Sequence, residues 1–344
     1  MTMQSSPRSS APTVRDVAAL AGVSPMTVSR TMSGGVNVRP EVQERVQAAV
    51  EALGYRRNNS ARNTRLGRPT GLVGIAVTNI GNPYYSQVAL GVEEIAGGYG
   101  RQILVGNTGE DPNRERELIA DFAGRQIEGL ILVPAGNGLE LPDARKLSGI
   151  PLVLASRTID GLDADTVLVD DVGGARAGTQ GLLDDGHRRI AFLGDPAGIS
   201  TTRRRYEGFR SALAGAGIGE DKRLLAPCRS AREAEGEVRR LLGVSNSPTA
   251  FFSTNNRTTV GALRAICEYR NGGSSRPVPA MACFDDVELA DLLQVPLIMM
   301  SHDPKELGKQ AARLLFDRLA GSQLGGPREV QVGVEIHRFW TDGN

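Results

Sequence analysis

TVRDVAALAGVSPMTVSRTM, residues 13–32, decides how the chain begins, and the remainder is read outward from it. Val14, Val17, Ala18 and Ala21 recur at helical spacing and give a first short helix one apolar face. Gly22-Val23-Ser24 is a turn in which Gly22 takes a left-handed conformation at no steric cost. Ser24 is placed to cap a second helix whose first position is Pro25. Val28 points back at Ala18, whose small side chain lets the helices cross closely. The pattern is a helix-turn-helix, with Met26, Thr27, Ser29 and Arg30 outward, where they can meet base edges and phosphates. An ordinary α-hairpin packed on a larger domain is the competing reading.

Charge distribution separates the two. Net charge over the 344 residues is +1, yet residues 1–68 hold ten arginines and four carboxylates while the rest of the chain is mildly acidic. A basic head on an acidic body points to a nucleic-acid partner for the head alone. Cys228, Cys267 and Cys283 have no metal-ligand spacing, and the three histidines form no ligand pair, so neither metal nor cofactor is expected. The polar N-terminus has no apolar signal core and no run approaches membrane-spanning length, so a cytoplasmic protein without a membrane partner is expected.

Residues 1–12 are rich in Ser and Pro and are expected to be disordered. After Gly34-Gly35, Pro40 opens a third helix, PEVQERVQAAVEALGY, closed by Gly54. Residues 13–57 thus form a small all-α headpiece. The segment 58–69 is a hinge, read either as a flexible linker or as a segment that folds only on DNA. From residue 70 to 344 short apolar runs (GLVGIAV, ILVG, GLILVP, PLVLA, IAFLG, TAFFS, AMACF, LIMM) alternate with helical stretches. Helices are expected at Pro83–Ala96, Arg114–Ala123, Leu141–Leu147, Gly173–Leu183, Thr202–Ala214, Glu233–Leu242, Thr258–Tyr269, Val287–Leu293 and Pro304–Leu319. Such alternation builds parallel sheets covered on both faces, and about a dozen strands exceed one comfortable sheet. The expected fold is therefore two doubly wound parallel-sheet subdomains, with ligand at the carboxyl ends of the strands in a cleft between them. EVQVGVEIHRF alternates and reads as one edge strand. No Gly-x-Gly-x-x-Gly follows a strand, and neither a Walker loop nor a Gly-x-Ser-x-Gly elbow occurs. Asp285-Asp286 reads as a helix cap plus one ligand contact rather than an acid–base pair, Arg204 either as a cation of the cleft or as a plain surface charge, and Phe251-Phe252 as core.

These motifs resemble the lactose-repressor (LacI/GalR) family: the headpiece, the basic segment ending Leu66-Gly67-Arg68, and in the body GLVGIAVTNIGNPYYSQVALGVEEIA, GHRRIAFLGDP, RRRYEGFRSAL, NNRTTVGALRA and CFDDVELADLL. The resemblance implies a dimeric transcriptional regulator, a repressor of a palindromic double-stranded operator, with a core similar to periplasmic sugar-binding proteins and a small effector in the cleft. It carries DNA contact to Ser24, Pro25, Met26, Thr27, Ser29, Arg30 and Asn37 in the headpiece, and to Asn58, Arg62 and Thr64 in the hinge. It carries effector contact to Thr78, Asn79, Tyr84, Ser156, Arg157, Arg205, Asn255, Asp285 and His302. Ser156 stands where the family has an Asp, and His302 where Gln is common. With Arg203, Arg204 and Arg257 nearby, the lost carboxylate tilts the effector from a plain sugar towards a sugar acid or phosphate. No Leu-rich heptad follows the last strand, so a dimer is expected rather than a tetramer. The rivals are an effector-binding protein without DNA binding and a doubly wound enzyme.

The hinge departs from the family at Thr64, which stands where an inserted Leu wedges between base pairs. Wedging costs a few kcal/mol of unstacking, offset by the apolar side chain and the bent DNA it permits. Thr is a poor wedge, so Thr64→Leu should tighten operator binding and increase DNA bending in circular-permutation mobility. If Leu66→Ala abolishes bending and Thr64→Leu leaves it unchanged, Leu66 is the wedge instead.

Overall fold

The computed structural model describes residues 12–34, 37–55, 69–136, 147, 149–272, 277–322 and 325–339. It separates into a small N-terminal unit, to Thr70, and a large one from Gly71. In the small unit, helices α1 (Val14–Ala21), α2 (Pro25–Thr31) and α3 (Pro40–Leu53) enclose Val17, Ala18, Ala21, Val28, Val46 and Ala49. Three helices this short need their ends satisfied. Thr13 and Asp16 form a capping box on α1, Ser24 Oγ accepts from Thr27 N at 3.1 Å, and Gly22 and Gly54 close α1 and α3 in the left-handed region.

The large unit holds two six-stranded sheets. The first runs β11 (Glu329–Val332), β5 (Asp165–Val169), β4 (Leu152–Ala155), β3 (Gly129–Leu132), β1 (Leu72–Val77), β2 (Gln102–Asn107), all parallel. The second runs β12 (Glu335–Phe339), β10 (Leu297–Ser301), β9 (Ala280–Phe284), β8 (Ala250–Ser253), β6 (Ile190–Leu193), β7 (Leu225–Ala226), parallel except for β12. Central strands are buried along their whole length, Phe251 and Phe252 included, as parallel strands covered on both faces must be.

The chain changes sheets three times. After β5, helix α6 (Asp171–Asp184) packs on β9 and β10 and on α7 (Ser200–Gly215), both in the second subdomain. After β10, helix α10 (Pro304–Leu319) returns to β4, β5 and α4 (Pro83–Gly98) of the first. Between β11 and β12 it crosses again. EVQVGVEIHRF is therefore not one edge strand: Gly333-Val334 breaks it, and its halves close two different sheets. Period-2 alternation is the same whichever sheet a strand joins, so the break was invisible in the pattern.

Helices α5 (Pro112–Gly124), α8 (Ala231–Leu242) and α9 (Asn256–Asn271) complete the layers. Val287–Leu293 is not an α-helix; only a 3₁₀ turn, Ala290–Leu292, forms there, entered by Leu289 at φ +63°. β7 was missed because two residues carry no periodicity. The stretch expected to be helical near Leu141–Leu147 lies almost wholly outside the described residues, as do residues 1–11 and most of the hinge.

Helix pairs meet at glycine. A Cβ on Gly91 of α4 would lie 2.0 Å from Lys305 O of α10, and one on Gly308 would lie 2.1 Å from Val88 O. Gly308→Ala should therefore lower stability by about 1–3 kcal/mol through forced separation of α4 and α10. Gly236→Ala, mid-helix in α8 with open space around it, should instead raise stability by up to ~1 kcal/mol. Urea unfolding followed by circular dichroism separates the two.

Candidate functional site

In the headpiece, the start of α2 is the most exposed apolar point: Met26 is 65% exposed. Pro25 and Arg30 are also exposed, and Thr27 and Ser29 half-buried. The Ser24 hydroxyl is engaged with Thr27 N and lies 2.9 Å from Thr27 Oγ1, so both side chains hold the turn. Asn37 is exposed and left-handed, at φ +64°. Asn58, Arg62 and Thr64 lie outside the described residues.

In the large unit the predicted effector residues gather where strand carboxyl ends of both sheets meet. Tyr84, at the start of α4, lies with its hydroxyl 2.8 Å from Ser156 Oγ, after β4, and 3.4 Å from His302 Nε2, after β10. Burial, with Asp285 nearby, holds the Tyr84 hydroxyl well above its usual range and so protonated. Arg205, from α7, lies with its guanidinium carbon 3.7 Å from the Phe284 ring centre. Its Nε donates to Asp171 Oδ1 at 2.7 Å, its Nη1 to Thr254 O, and its Nη2 sits 3.4 Å from Asp285 Oδ1. Asp285 is 7% exposed and left-handed at φ +67°. Neither Asp285 Oδ1 nor His302 Nδ1 has a hydrogen-bond partner, although both are buried. Burial depresses the His302 pKa, which keeps the ring neutral near pH 7. Two buried polar atoms without hydrogen-bond partners, where the carboxyl ends of the two sheets meet, are groups that a ligand hydroxyl could satisfy.

Other expected residues serve the protein itself. Arg157, 3% exposed, is clamped at 2.7 Å to both oxygens of Glu110, and donates also to Pro134 O and the Tyr85 hydroxyl. Asn255 caps α9 through Arg257 N and Thr258 N; its neighbour Asn256 instead exchanges two hydrogen bonds with Asn82 on the first subdomain. Asn79 Oδ1 accepts from Gly81 N in its own loop. Thr78 is fully buried, and its hydroxyl, like Asp285 Oδ1 and His302 Nδ1, has no hydrogen-bond partner. Asp286 caps no helix but accepts from Ser301 Oγ.

The cationic cleft expected from the arginines is not found. Arg204 is no plain surface charge: it pairs with Asp171 Oδ2 at 2.7 Å and donates to Ser156 O at 3.0 Å. Arg157 is offset by Glu110, and Arg204 and Arg205 by Asp171 and Asp285, while Arg203 and Arg257 point to solvent. Asp171, Glu110, Asn82 and Asn256 were missed in the sequence, where isolated carboxylates and amides carry no spacing signal.

A groove of about 690 Å³ lies elsewhere, along the far half of α7 between Phe209, Leu213, Ile218 and Leu224. Arg189 and Asp221 on its rim pair with one another, and Glu220 accepts from the Tyr206 hydroxyl. None of its lining side chains has a buried polar atom without a partner, so the cluster around Tyr84, Arg205, Asp285 and His302 is the better candidate.

Residues 13–58 match the bacterial regulatory proteins of the lacI family, and residues 70–332 the periplasmic binding proteins and sugar binding domain of the LacI family. The chain belongs to the LacI family. The transcriptional regulator CelR of Thermobifida fusca is 31% identical over 95% of this chain and 96% of its own length. The ribose operon repressor of Haemophilus influenzae is 31% identical over 89% of this chain and 92% of its own. A solved CelR–cellobiose complex superposes with TM-score 0.70 at 28% identity, covering 96% of this chain and all of that one. This LacI-family protein is a transcriptional regulator and not an enzyme. Among the described residues no cluster of three metal-ligating side chains occurs, and no helix is long and apolar enough to cross a membrane.

Behind Arg157, the Glu115 carboxyl is pushed up to about 7 by burial, against the Ala135 amide and Arg157, which favour its charged form. Folded Glu115 keeps its proton between 4.5 and about 7, where the unfolded side chain has lost it. Its contribution to stability is full below 4.5 and is lost as pH rises to about 7. Glu115→Gln, which stays neutral and can still accept from Ala135 N, should gain thermal stability relative to the parent as pH rises through that window. Parallel melting curves across the window would contradict it.

Proposed function

We propose that this regulator is a cytoplasmic homodimeric repressor that binds a palindromic operator and is controlled by a neutral, polyhydroxylated effector, a sugar, in the interdomain cleft. The headpiece is assigned to 13–57, the hinge to 58–69 and the effector-binding core to 70–344. Pro25, Met26, Ser29, Arg30 and Asn37, with Asn58, Arg62 and Thr64 of the hinge, are assigned to DNA. Met26 reads by apolar contact, for which a thymine methyl is the partner in the major groove. Exposed Leu90 and Val105 on the first subdomain, and Leu289 and Leu292 on the second, support a second copy of the chain, and two-fold symmetry suits a palindrome.

One observation carries the choice of a neutral ligand: every buried arginine of the cleft is already paired with a carboxylate, whereas Asp285 Oδ1 and His302 Nδ1 lack hydrogen bonds. An anionic ligand would meet Asp285 with no spare cation, while a hydroxyl can donate to it. The cellobiose bound by the CelR relative supports the same class.

Thermal shift of the full chain against neutral sugars, cellobiose included, and against sugar phosphates tests this. A neutral sugar should raise the melting temperature and alter operator affinity. Asp285→Ala should lose about 1.5–3 kcal/mol of the sugar affinity, tenfold or more, with operator binding by the free protein intact. A response to sugar phosphates alone would overturn the neutral class, and a normal sugar response in Asp285→Ala would remove Asp285 from the site.

A further inference from the structure

We infer, on the reading of the cleft as the effector site, that Asp171 and Arg204 are positioning residues that hold the two walls of that site at a fixed separation. Asp171 is the first residue of α6, directly after the first crossing between sheets, and its side chain is fully buried. Each of its oxygens serves a different arginine. Oδ1 accepts from Arg205 Nε at 2.7 Å; Oδ2 accepts from Arg204 Nε at 2.9 Å and Nη2 at 2.7 Å.

The two arginines are consecutive on α7 yet do different work. Arg205 turns to the ligand side, against Phe284 and 3.4 Å from Asp285. Arg204 reaches out of its subdomain and donates through Nη2 to the Ser156 carbonyl on the first subdomain, at 3.0 Å. Ser156 is left-handed at φ +63°, and its hydroxyl holds Tyr84, whose own oxygen lies 3.4 Å from His302 at the second crossing. A continuous polar tie thus runs from one crossing to the other: Asp171, Arg204, Ser156, Tyr84, His302. It joins the wall carrying Arg205 and Asp285 to the wall carrying Ser156 and Tyr84.

Arginine is required at 204 because one planar fork must meet a carboxylate and a carbonyl at once. Lysine concentrates its donors on one nitrogen and cannot span both along the same lines. Asp171 is required because it is shared: without its charge, Arg204 would lose its only carboxylate partner among the described residues and Arg205, which is buried, would keep Asp285 alone.

Hydrogen exchange of the full chain, without sugar, tests the tie directly, comparing the parent with Arg204→Met, Arg204→Lys and Arg203→Met. Arg203 is exposed and forms no ion pair among the described residues, so its variant is the control. Arg204→Met should speed exchange about tenfold in the segments around Ser156 and around Asp171, with Arg204→Lys between it and the parent. Strand β8 should stay as protected as in the parent, and Arg203→Met should match the parent throughout. Unchanged exchange around Ser156 in Arg204→Met would overturn the proposal. So would a rise that extends to β8, which would make Arg204 a general stability residue. Because no sugar is present, failure here leaves the effector assignment standing, and failure of the sugar panel leaves the tie standing.

Discussion

Three guanidinium groups lie where the carboxyl ends of the two sheets converge, and none could stay there without a carboxylate. An unpaired buried charge costs far more than its packing returns. Arg157 finds Glu110, and Arg204 and Arg205 share Asp171. Much of the cleft follows from satisfying these groups. Glu110 is left-handed at φ +64° and Ser156 at +63°, two backbone turns spent on aligning partners. The net result is a site whose charges are internally balanced and whose remaining capacity is for hydrogen bonds. That balance, more than any one residue, is what favours a polyol over an anion in the proposed site.

The two units meet the demand for stability in different ways. The headpiece has a small core of Val and Ala and relies on its helix ends, with Thr13, Asp16, Ser24, Gly22 and Gly54 satisfying groups that packing cannot reach. The large unit has two sheets of buried central strands and accommodates paired polar groups inside it. Its helices approach one another until backbone meets Cα, at Gly91 and Gly308. Such close crossings fix α10 against α4, so the helix that follows the second crossing is packed onto the first subdomain.

Much was legible in the sequence because its signals were local. Capping residues, turn glycines and the 3.6-residue period of TVRDVAALAGVSPMTVSR mark the headpiece, since each is set by neighbours within a turn or two. Uniform apolar runs between helical stretches specify parallel sheets, because a strand covered on both faces cannot alternate. Family motifs then located Tyr84, Ser156, Arg205, Asp285 and His302 around one cleft, where the structure brings them together. The motifs could not say what each side chain does there. Asn255 is spent on capping α9 and Arg157 on Glu110, roles decided by what stands opposite.

What the sequence alone determined is the order of the main helices and central strands, the helix-turn-helix and the class of the core, all of them consequences of short-range pattern. Only the tertiary structure decided which sheet each strand joins, that EVQVGVEIHRF divides between two sheets, and that the arginines of the cleft are neutralised. Asp171 and Arg204 are 33 residues apart, and Arg157 and Glu110 are 47 apart. Electrostatic pairing depends on distance in space, and over such separations the chain's path sets that distance, which composition and periodicity do not encode.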